Sequence, residues 1–405
     1  MPRTDPDRRP ALGYLRSDGR KGIRNHVVVA YLVECAHHVA RAIAAPFEAA
    51  GVQLIGFPGC YPSEYAQVVM DRLGTHPNVG GVVLVSLGCE EFDRTRLVDT
   101  IRASGRPVDL AVIQKLGGTR ATVAAGRERV RAMLDQVRAV ERVPVTLADL
   151  VVGTKCGGSD GTSGLTANPA IGKAADALVD AGAVVIFEEL GELFGCERHM
   201  AARATTPGLA AEILAVMAKS ARYYGTMEHG SFGGGNITGG LSTVEEKSIG
   251  AYTKSGTRPI VGLLKPGDLP PRPGLYLMDM VPDGPVRWGY PNINDTTEVV
   301  EMIACGAQVV LFSTGRGSVV GSAIAPVVKI CANPETFRRM AEDMDVDAGR
   351  ILEGRGTLDE VGAEIVDRIL ALMRGEPSRA EALGHQEFQL GYKSFAAAGP
   401  ACFPR

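Results

Sequence analysis

The chain has 405 residues, of which 45% are hydrophobic and 22% are charged, and its formal net charge is −3. This length allows two or three domains with cores of their own. A nearly neutral charge gives no indication of nucleic-acid binding, and no apolar run approaches the roughly 20 residues that span a bilayer. The first residues lack the apolar centre of a signal peptide, so we expect a cytoplasmic protein that binds neither nucleic acid nor membranes.

Apolar runs and amphipathic stretches alternate in the first third of the chain. This alternation is typical of a parallel sheet with helices on both faces. Strands are predicted at 26–33, 52–57, 81–87 and 108–114, and helices at 36–50, 63–73, 92–103 and 119–140. We therefore expect a disordered lead over 1–12 and a first α/β domain over 13–143.

The same alternation begins again after Pro144. Strands are predicted at 147–152, 183–188, 259–264, 275–281 and 308–313, and helices at 168–181, 191–204, 207–223, 243–255 and 297–305. The glycine-rich stretch 228–240 is predicted to be a loop without helix or strand. Residues 144–384 should form a second α/β domain with long glycine-rich loops, followed by a tail over 385–405. The predicted fold class is α/β, with two domains of mostly parallel sheets flanked by helices.

Three of the cysteines follow predicted strands. Cys60, Cys89 and Cys156 each lie beside a glycine at a turn. Ligands bind at the carboxyl ends of strands in open α/β sheets, so these thiols are candidates to converge on one site. Three thiols suit a soft or borderline metal and leave a coordination position for substrate. Small buried residues in tight turns explain the pattern equally well, because no paired-cysteine or His-Glu metal motif occurs.

The turn over 153–160 carries the densest chemistry in the sequence. Lys155 and Asp160, on either side of Cys156, are suited to acid–base work or to binding a carboxylate, although an Asp in a turn is often only a hydrogen-bond acceptor. Glu188 and Glu189 end the next predicted strand and are candidates for a base or a metal ligand, although two acids there are also explained as solvated side chains at a helix start. His26 begins the first predicted strand, where a histidine is more often structural.

Several long motifs occur together in one order. They cover 19–26, 87–90, 155–160, 164–169, 235–248, 314–318 and 345–349. In these motifs the chain resembles the altronate/galactarate dehydratase family, which also contains the large subunit of sulfolactate sulfo-lyase. The resemblance extends from about residue 12 to the tail. The stretches around 57–60, 231–235 and 278–297 depart from the usual family pattern, which leaves the substrate open.

The resemblance implies a lyase acting on a small sugar acid, an aldonate or aldarate, which it dehydrates to a 2-keto-3-deoxy acid. Alternatives are a sulfo-lyase that releases sulfite from sulfolactate, a non-catalytic sugar-acid-binding homologue, or a hydrolase with a cysteine nucleophile. The resemblance favours Cys60, Cys89 and Cys156 as metal ligands. It implies Fe2+, as a mononuclear ion or an iron–sulfur centre, more than zinc.

The resemblance also selects the site residues and the partners. The candidate catalytic residues are His26, Lys155, Asp160 and Glu188. The candidate substrate-binding residues are Arg24, Asn25, Ser159, Asn168, Asn236, Lys247 and Arg316. Family members often carry a small antifreeze-like domain, fused or as a separate subunit, whereas this sequence starts at the large region. We therefore expect a small partner subunit, a homo- or hetero-oligomer and a small hydroxy acid as substrate.

Overall fold

The computed structural model describes residues 10–226, 234–283 and 294–393. Most of the predicted lead, the first part of the glycine-rich loop and the end of the predicted tail lie outside these ranges. Within them the predicted α/β fold is confirmed, because two parallel sheets are flanked by helices. No helix in the described ranges combines the length and the apolar character that crossing a bilayer requires.

The strands in chain order are β1 (Leu12–Leu15), β2 (Lys21–Gly22), β3 (His26–Tyr31), β4 (Val52–Gly56), β5 (Val79–Ser86), β6 (Val108–Val112), β7 (Arg142–Pro144), β8 (Val151–Cys156), β9 (Val184–Phe187), β10 (Ile260–Leu264), β11 (Gly274–Met278), β12 (Val309–Thr314), β13 (Val327–Cys331) and β14 (Val346–Asp347). The helices are α1 (His37–Ala44), α2 (Glu64–Gly74), α3 (Arg94–Ala103), α4 (Ile113–Leu116), α5 (Thr119–Arg138), α6 (Ala167–Asp180), α7 (Glu197–Ala202), α8 (Pro207–Gly225), α9 (Gly234–Thr238), α10 (Val244–Thr253), α11 (Asp295–Ala304), α12 (Pro334–Arg339), α13 (Leu358–Met373) and α14 (Arg379–Leu383).

The first parallel sheet has four strands in the order β4-β3-β5-β6. All eight residues of β5 are buried, as expected for a central strand covered on both faces. The run of valines in β3 and β5 favours strand over helix, because β-branched side chains pack well on a pleated surface. Helices α1 and α5 cover one face of this sheet, with Val29 and Val83 in the core beneath them.

The second parallel sheet has seven strands in the order β10-β11-β9-β8-β12-β13-β14. The chain runs from β8 to β9 on one side and later returns to β12 on the other side of β8. The direction of winding therefore reverses at β8. In open α/β sheets the crevice outside the carboxyl ends of the strands at such a reversal is the usual ligand site.

A small antiparallel sheet, in the order β2-β1-β7, joins the two parallel sheets. Leu12 of β1 pairs with Pro144 of β7, so this sheet includes both ends of the first predicted domain. The amide of Asn78 donates to the carbonyls of Gln308 (3.3 Å) and Ile324 (3.1 Å), which connects the two halves in the interior. The domain boundary near residue 143 stays a prediction.

The structure corrects two predicted elements. The strand predicted at 147–152 begins four residues later, because Leu147–Asp149 forms a 3-10 turn closed by a capping box between Thr146 and Asp149. Part of the predicted glycine-rich loop forms the short helix α9 instead. In the described part of the predicted tail, Leu390 and Lys393 are buried, and the boundary of the tail at residue 385 stays a prediction.

Candidate active site

A buried lysine lies at the carboxyl end of β8, surrounded by carboxyl groups. The Nζ atom of Lys155 donates to Glu189 Oε1 at 2.8 Å. It lies 3.4 Å from Asp295 Oδ1 and 3.6 Å from Glu188 Oε1, and it also forms an ion pair with Glu298. The side chain of Lys155 is only 4% exposed. Four acids therefore surround one ammonium group that is shielded from solvent.

The next residue of β8, Cys156, contacts a second group of charges. Its Sγ lies 3.0 Å from Glu192 Oε2 and 3.6 Å from the Nζ of Lys247. Lys247 also donates to Ser159 Oγ at 2.6 Å and pairs with Glu192 at 2.9 Å. The backbone N–H of Cys156 donates to Glu189 Oε1 at 3.0 Å. Glu189 therefore links this group to the carboxyl groups around Lys155.

Glu189 has an unusual backbone conformation. Its φ of 76° is the one positive φ among the non-glycine residues that the structure describes. A left-handed φ is unfavourable for a side chain with a Cβ, and such strain is concentrated at functional sites. This turn after β9 directs the carboxylate towards Lys155 and towards Lys254, at the end of α10, with which it also pairs. The left-handed conformation of this turn therefore places the Glu189 carboxylate against both lysines.

The cluster shifts the pKa values of its acids in opposite directions. Burial and the nearby Glu298 carboxylate raise the pKa of Glu188 well above its ordinary value. Burial also raises the pKa of Glu298 to about 7, against the opposing effect of Lys155. Burial alone would raise the pKa of Glu189, but Lys155 and Lys254 outweigh it and lower that pKa. An acid that stays protonated next to one that stays ionised is typical of sites for acid–base catalysis.

Cys156, Glu189 and Glu192 form a group that could hold a metal ion. One ligand atom from each lies within 4.8 Å of the others, and this is the one such group of three in the described ranges. Burial, followed by Glu189 and Glu192, raises the pKa of the Cys156 thiol to about 12, and a bound cation would favour its thiolate. A thiolate and two carboxylates suit a borderline divalent ion. The donor set therefore fits such a metal.

The structure does not bring the other two predicted cysteine ligands into this group. Cys60 and Cys89 are exposed thiols in turns of the first sheet, whereas Cys156 is buried. The backbone N–H of Glu91 donates to the Cys60 carbonyl at 2.9 Å, so the two turns adjoin each other. The three-cysteine ligand set stays a prediction.

The predicted motif at the start of β3 lies at the amino end of the first sheet. Arg24 donates to Glu381 (2.7 Å) and to the carbonyl of Leu372 (2.9 Å). Asn25 accepts a bond from Arg16 and donates one to the Val137 carbonyl. These two side chains hold helices together in the structure.

The half-buried His26 faces a backbone carbonyl at the same end of the sheet. Its Nδ1 lies 3.3 Å from the Gly51 carbonyl oxygen. Burial lowers its pKa to about 4, which favours the neutral ring at neutral pH. Within the described residues, the hydrogen bonds of His26, Arg24 and Asn25 given above do not reach the cluster around Lys155, so their catalytic and binding roles stay predictions.

Asp160 forms a closed turn next to the cluster. One carboxylate oxygen accepts bonds from Thr162 and Ser163, and the other accepts a bond from Asn333 at 2.9 Å. A Cβ on Gly315 would lie 2.0 Å from this carboxylate. Glycine is needed there for the close approach, and the contacts of Asp160 are those of a loop anchor.

The remaining predicted binding residues surround this turn. Asn168 accepts a hydrogen bond from Ser313 at 2.5 Å and is buried. Arg316 is exposed and donates to the carbonyl of Gly235 at 2.7 Å, next to the half-buried Asn236 of α9. Of the predicted site residues, the structure brings together Lys155, Cys156, Ser159, Glu188 and Lys247.

Sequence reasoning left out four residues of the cluster. They are Glu192, Lys254, Asp295 and Glu298. One signal was available: Lys247 and Lys254 share a helix face because they are seven residues apart. Asp295 and Glu298 are three residues apart at the start of α11, where acids are common for helix stability alone. Only the fold shows that these two acids contact Lys155.

A parallel sheet with a buried lysine, thiol and carboxylates at its strand ends is the arrangement expected of an α/β enzyme. Family models agree with this class. Residues 13–138 match the second domain of D-galactarate dehydratase/altronate hydrolase, and residues 147–395 match the C-terminal D-galactarate/altronate dehydratase domain. The chain belongs to the D-galactarate/altronate dehydratase family, a family of lyases.

Individual relatives agree with this assignment. The chain is 34% identical to the β subunit of (2R)-sulfolactate sulfo-lyase from Chromohalobacter salexigens, over 94% of this chain and 97% of that protein. It is 28% identical to altronate dehydratase from Bacillus subtilis, over 93% of this chain and 75% of that protein. It is 32% identical to galactarate dehydratase (L-threo-forming) from Escherichia coli, over 75% of this chain and 58% of that protein.

Proposed function

We propose that the protein is a metal-dependent lyase that dehydrates a small sugar acid, an aldonate or aldarate, to a 2-keto-3-deoxy acid. The observation that supports this most is the buried cluster at the carboxyl ends of β8 and β9, where Lys155 and Cys156 meet acids from two further segments. Removing a proton next to a carboxylate requires a base, and cations must stabilise the negative charge that develops. The cluster contains both.

The side chains of the cluster suggest a division of roles. The carboxylate of Asp295 is 41% exposed and lies 3.4 Å from Lys155, so it is placed to accept the C2 proton of a substrate. The C2–H electron pair then forms a double bond to C3 while the bond from C3 to its hydroxyl group breaks. The leaving hydroxyl takes a proton from Glu188, whose pKa is raised by burial, and the enol product becomes the 2-keto acid.

The lysines of the cluster provide positive charge for the substrate carboxylate. Acidic neighbours, chiefly Glu189 and Glu298, outweigh burial and raise the pKa of Lys155 well above its ordinary value, so it stays an ammonium ion. Lys247 lies between Glu192 and Ser159 and also stays charged. Both ammonium groups are held in place before substrate arrives, which is the arrangement that stabilises a developing enolate best.

The metal is proposed to be Fe2+, held by Cys156, Glu189 and Glu192. When bound, such an ion acts as a Lewis acid on an oxygen of the hydroxy acid. The donor set suits a mononuclear ion, and zinc is the second choice because the same ligands accept it.

A sulfo-lyase is the second candidate. The named β subunit of sulfolactate sulfo-lyase matches this chain over 97% of its own length, at 34% identity. In that reaction the C2–H electron pair would expel sulfite from C3, and sulfite needs no proton in order to leave. We also propose a small partner subunit in a hetero-oligomer; the name of this relative, a β subunit, supports a partner subunit. We place this assembly in the cytoplasm.

The test is to purify the protein without oxygen, measure its bound metals by mass spectrometry and offer it aldonates, aldarates and sulfolactate. Each reaction is run with Fe2+, with and without a small partner subunit, and 2-keto product and sulfite are both measured. Keto acid without sulfite supports the dehydratase, and keto acid with sulfite supports the second candidate. No product from any acid, together with a rise in melting temperature on adding one, would favour a binding protein.

A further inference from the structure

A second buried ion pair lies outside the cluster, where the end of the described chain meets α11. The Nζ of Lys393 donates to Glu301 Oε1 at 2.6 Å and to the carbonyl of Met280 at 3.2 Å. The side chains of Lys393 and Glu301 are both 0% exposed. A buried pair of this kind is costly to form, and losing one partner leaves an uncompensated charge. Its presence therefore needs a reason.

The pair joins three separate parts of the chain. Glu301 belongs to α11, Lys393 follows α14, and Tyr65 of α2 donates its hydroxyl to the same Glu301 oxygen at 2.5 Å. The ammonium group of Lys393 also lies 5.8 Å from the centre of the Tyr65 ring. Tyr65, Glu301 and Lys393 thus form one buried group that connects the first half of the chain, the second half and the C-terminal segment.

The same C-terminal segment packs against a turn that carries one of the predicted cysteines. The Tyr392 ring meets Phe57 edge-on, with 5.4 Å between ring centres. A Cβ on Gly59 would lie 1.7 Å from the Tyr392 hydroxyl oxygen, so only glycine admits this contact. Tyr392 and Lys393 therefore hold the turn before Cys60 and helix α11, respectively.

Helix α11 carries acids at intervals of three residues, and these acids form ion pairs with two different lysines. Asp295 and Glu298, in its first turns, contact Lys155 in the active site. Glu301, one turn further along, contacts Lys393. A Cβ on Gly157, next to Cys156, would lie 2.4 Å from Asp295 Oδ2. Any rotation or shift of α11 would therefore move the acids around Lys155 and open the contact between Asp295 and Gly157, the residue after Cys156.

We propose that Lys393 is a positioning residue for the reaction: by pairing with Glu301 and Tyr65 it holds α11 in the position that places Asp295 and Glu298 against Lys155. The inference rests on the proposed function for its effect on turnover. Its effect on the geometry of the site can be measured without any substrate.

The test compares Lys393→Met with Leu390→Ala, a matched control that shortens another buried side chain of the same segment and keeps both partners of the Lys393–Glu301 pair. Lys393→Met should lower kcat about tenfold or more and leave KM within about threefold, because binding groups remain while their alignment is lost. It should also raise the rate at which N-ethylmaleimide labels Cys156 by about fivefold or more, measured on peptides by mass spectrometry. Leu390→Ala should change each quantity by less than about twofold, at a similar loss of melting temperature.

Tyr65→Phe removes one donor to Glu301 and should shift kcat and labelling in the same direction by about threefold, which keeps the test open if Lys393→Met does not fold. Unchanged labelling of Cys156 in both variants would overturn the proposal, whatever happens to kcat. Equal changes in Leu390→Ala would overturn it too, since they would show general destabilisation. If the wild-type protein turns over no acid, the proposed function fails while the labelling experiment still decides whether Lys393 positions the site.

Discussion

The carboxyl ends of the two parallel sheets carry the same residue type in different surroundings. Cys60 and Cys89 follow strands of the four-stranded sheet and are exposed, whereas Cys156 ends β8 of the seven-stranded sheet and is buried among charged groups. In each sheet the order of strands and turns places a cysteine at the carboxyl end of a strand. The difference in burial and charge comes from α10 and α11, which bring lysines and acids to the carboxyl end of the seven-stranded sheet. A cysteine after a strand therefore marks a candidate site, and the covering helices decide its chemistry.

The largest expected effect is the loss of catalysis when the cluster around Lys155 is changed. Lys155→Met should lower kcat/KM by about 10²- to 10⁴-fold, because it removes the cation among four acids. Steady-state kinetics on whichever acid is turned over would measure this. Lys115→Met, on the exposed surface of α4, is the control and should have no effect. A Lys155→Met enzyme with more than about a tenth of normal activity would show that this cluster is not the catalytic site.

The next prediction compares the thiols directly. Cys156→Ser should weaken Fe2+ binding by at least about tenfold, because the thiolate is the soft ligand of the group. Cys60→Ser and Cys89→Ser should bind Fe2+ with nearly normal affinity, measured by titration without oxygen and by metal analysis. Equal losses of Fe2+ affinity in all three variants would instead support the three-cysteine site. They would contradict the expectation that Cys156 alone of these thiols binds the metal.

The third prediction concerns the amino end of the first sheet. Arg24→Met should lower the free energy of unfolding by about 2 to 3 kcal/mol, because it leaves the half-buried Glu381 without its partner, and KM should not change. Urea denaturation would measure the loss. Arg102→Met is a suitable control, since its pair with Asp99 is 65% exposed on both sides and such pairs contribute about 0 to 1 kcal/mol. A large rise in KM with unchanged stability would instead support substrate binding by Arg24.

The smallest effect should come from His26. Burial lowers its pKa from 6.5 to about 4 in the folded protein, so between these values the unfolded chain binds more protons than the folded one. Stability should therefore fall as the pH drops from about 6.5 to 4, by on the order of 1 to 2 kcal/mol from this partly exposed group. His26→Gln should flatten this dependence in melting experiments and keep kcat within about threefold. A loss of kcat of a hundredfold or more would instead support His26 as a catalytic residue.

Prediction from the sequence succeeded where the signal was local and repeated. Apolar runs such as Val27–Val29 gave strands of the first sheet, and the alternation with helices led to the correct fold class. It was less accurate at β8, where a capping box at Thr146 delays the strand until Val151. A hydrophobic pattern does not show where a 3-10 turn ends. For the same reason Lys155 and Cys156, expected in a turn, belong to the strand.

The candidate site was predicted in part. Lys155, Cys156, Ser159, Glu188 and Lys247 were chosen from the sequence, and the structure brings them together. Asp295 and Glu298 were not chosen, because acids in the first turn of a helix are common for reasons of helix stability alone. Nothing in their local sequence distinguishes an acid that faces Lys155, more than a hundred residues earlier in the chain, from one that faces water.

The sequence by itself determined the fold class, the family and the strand ends at which chemistry was to be expected. These depend on short-range patterns and on motifs that are read in order along the chain. The tertiary structure decided which of those strand ends is buried, which acids meet Lys155 and which segment holds α11. Such contacts join residues that are distant in sequence, and their energies depend on burial and charge, which exist only once the chain has folded.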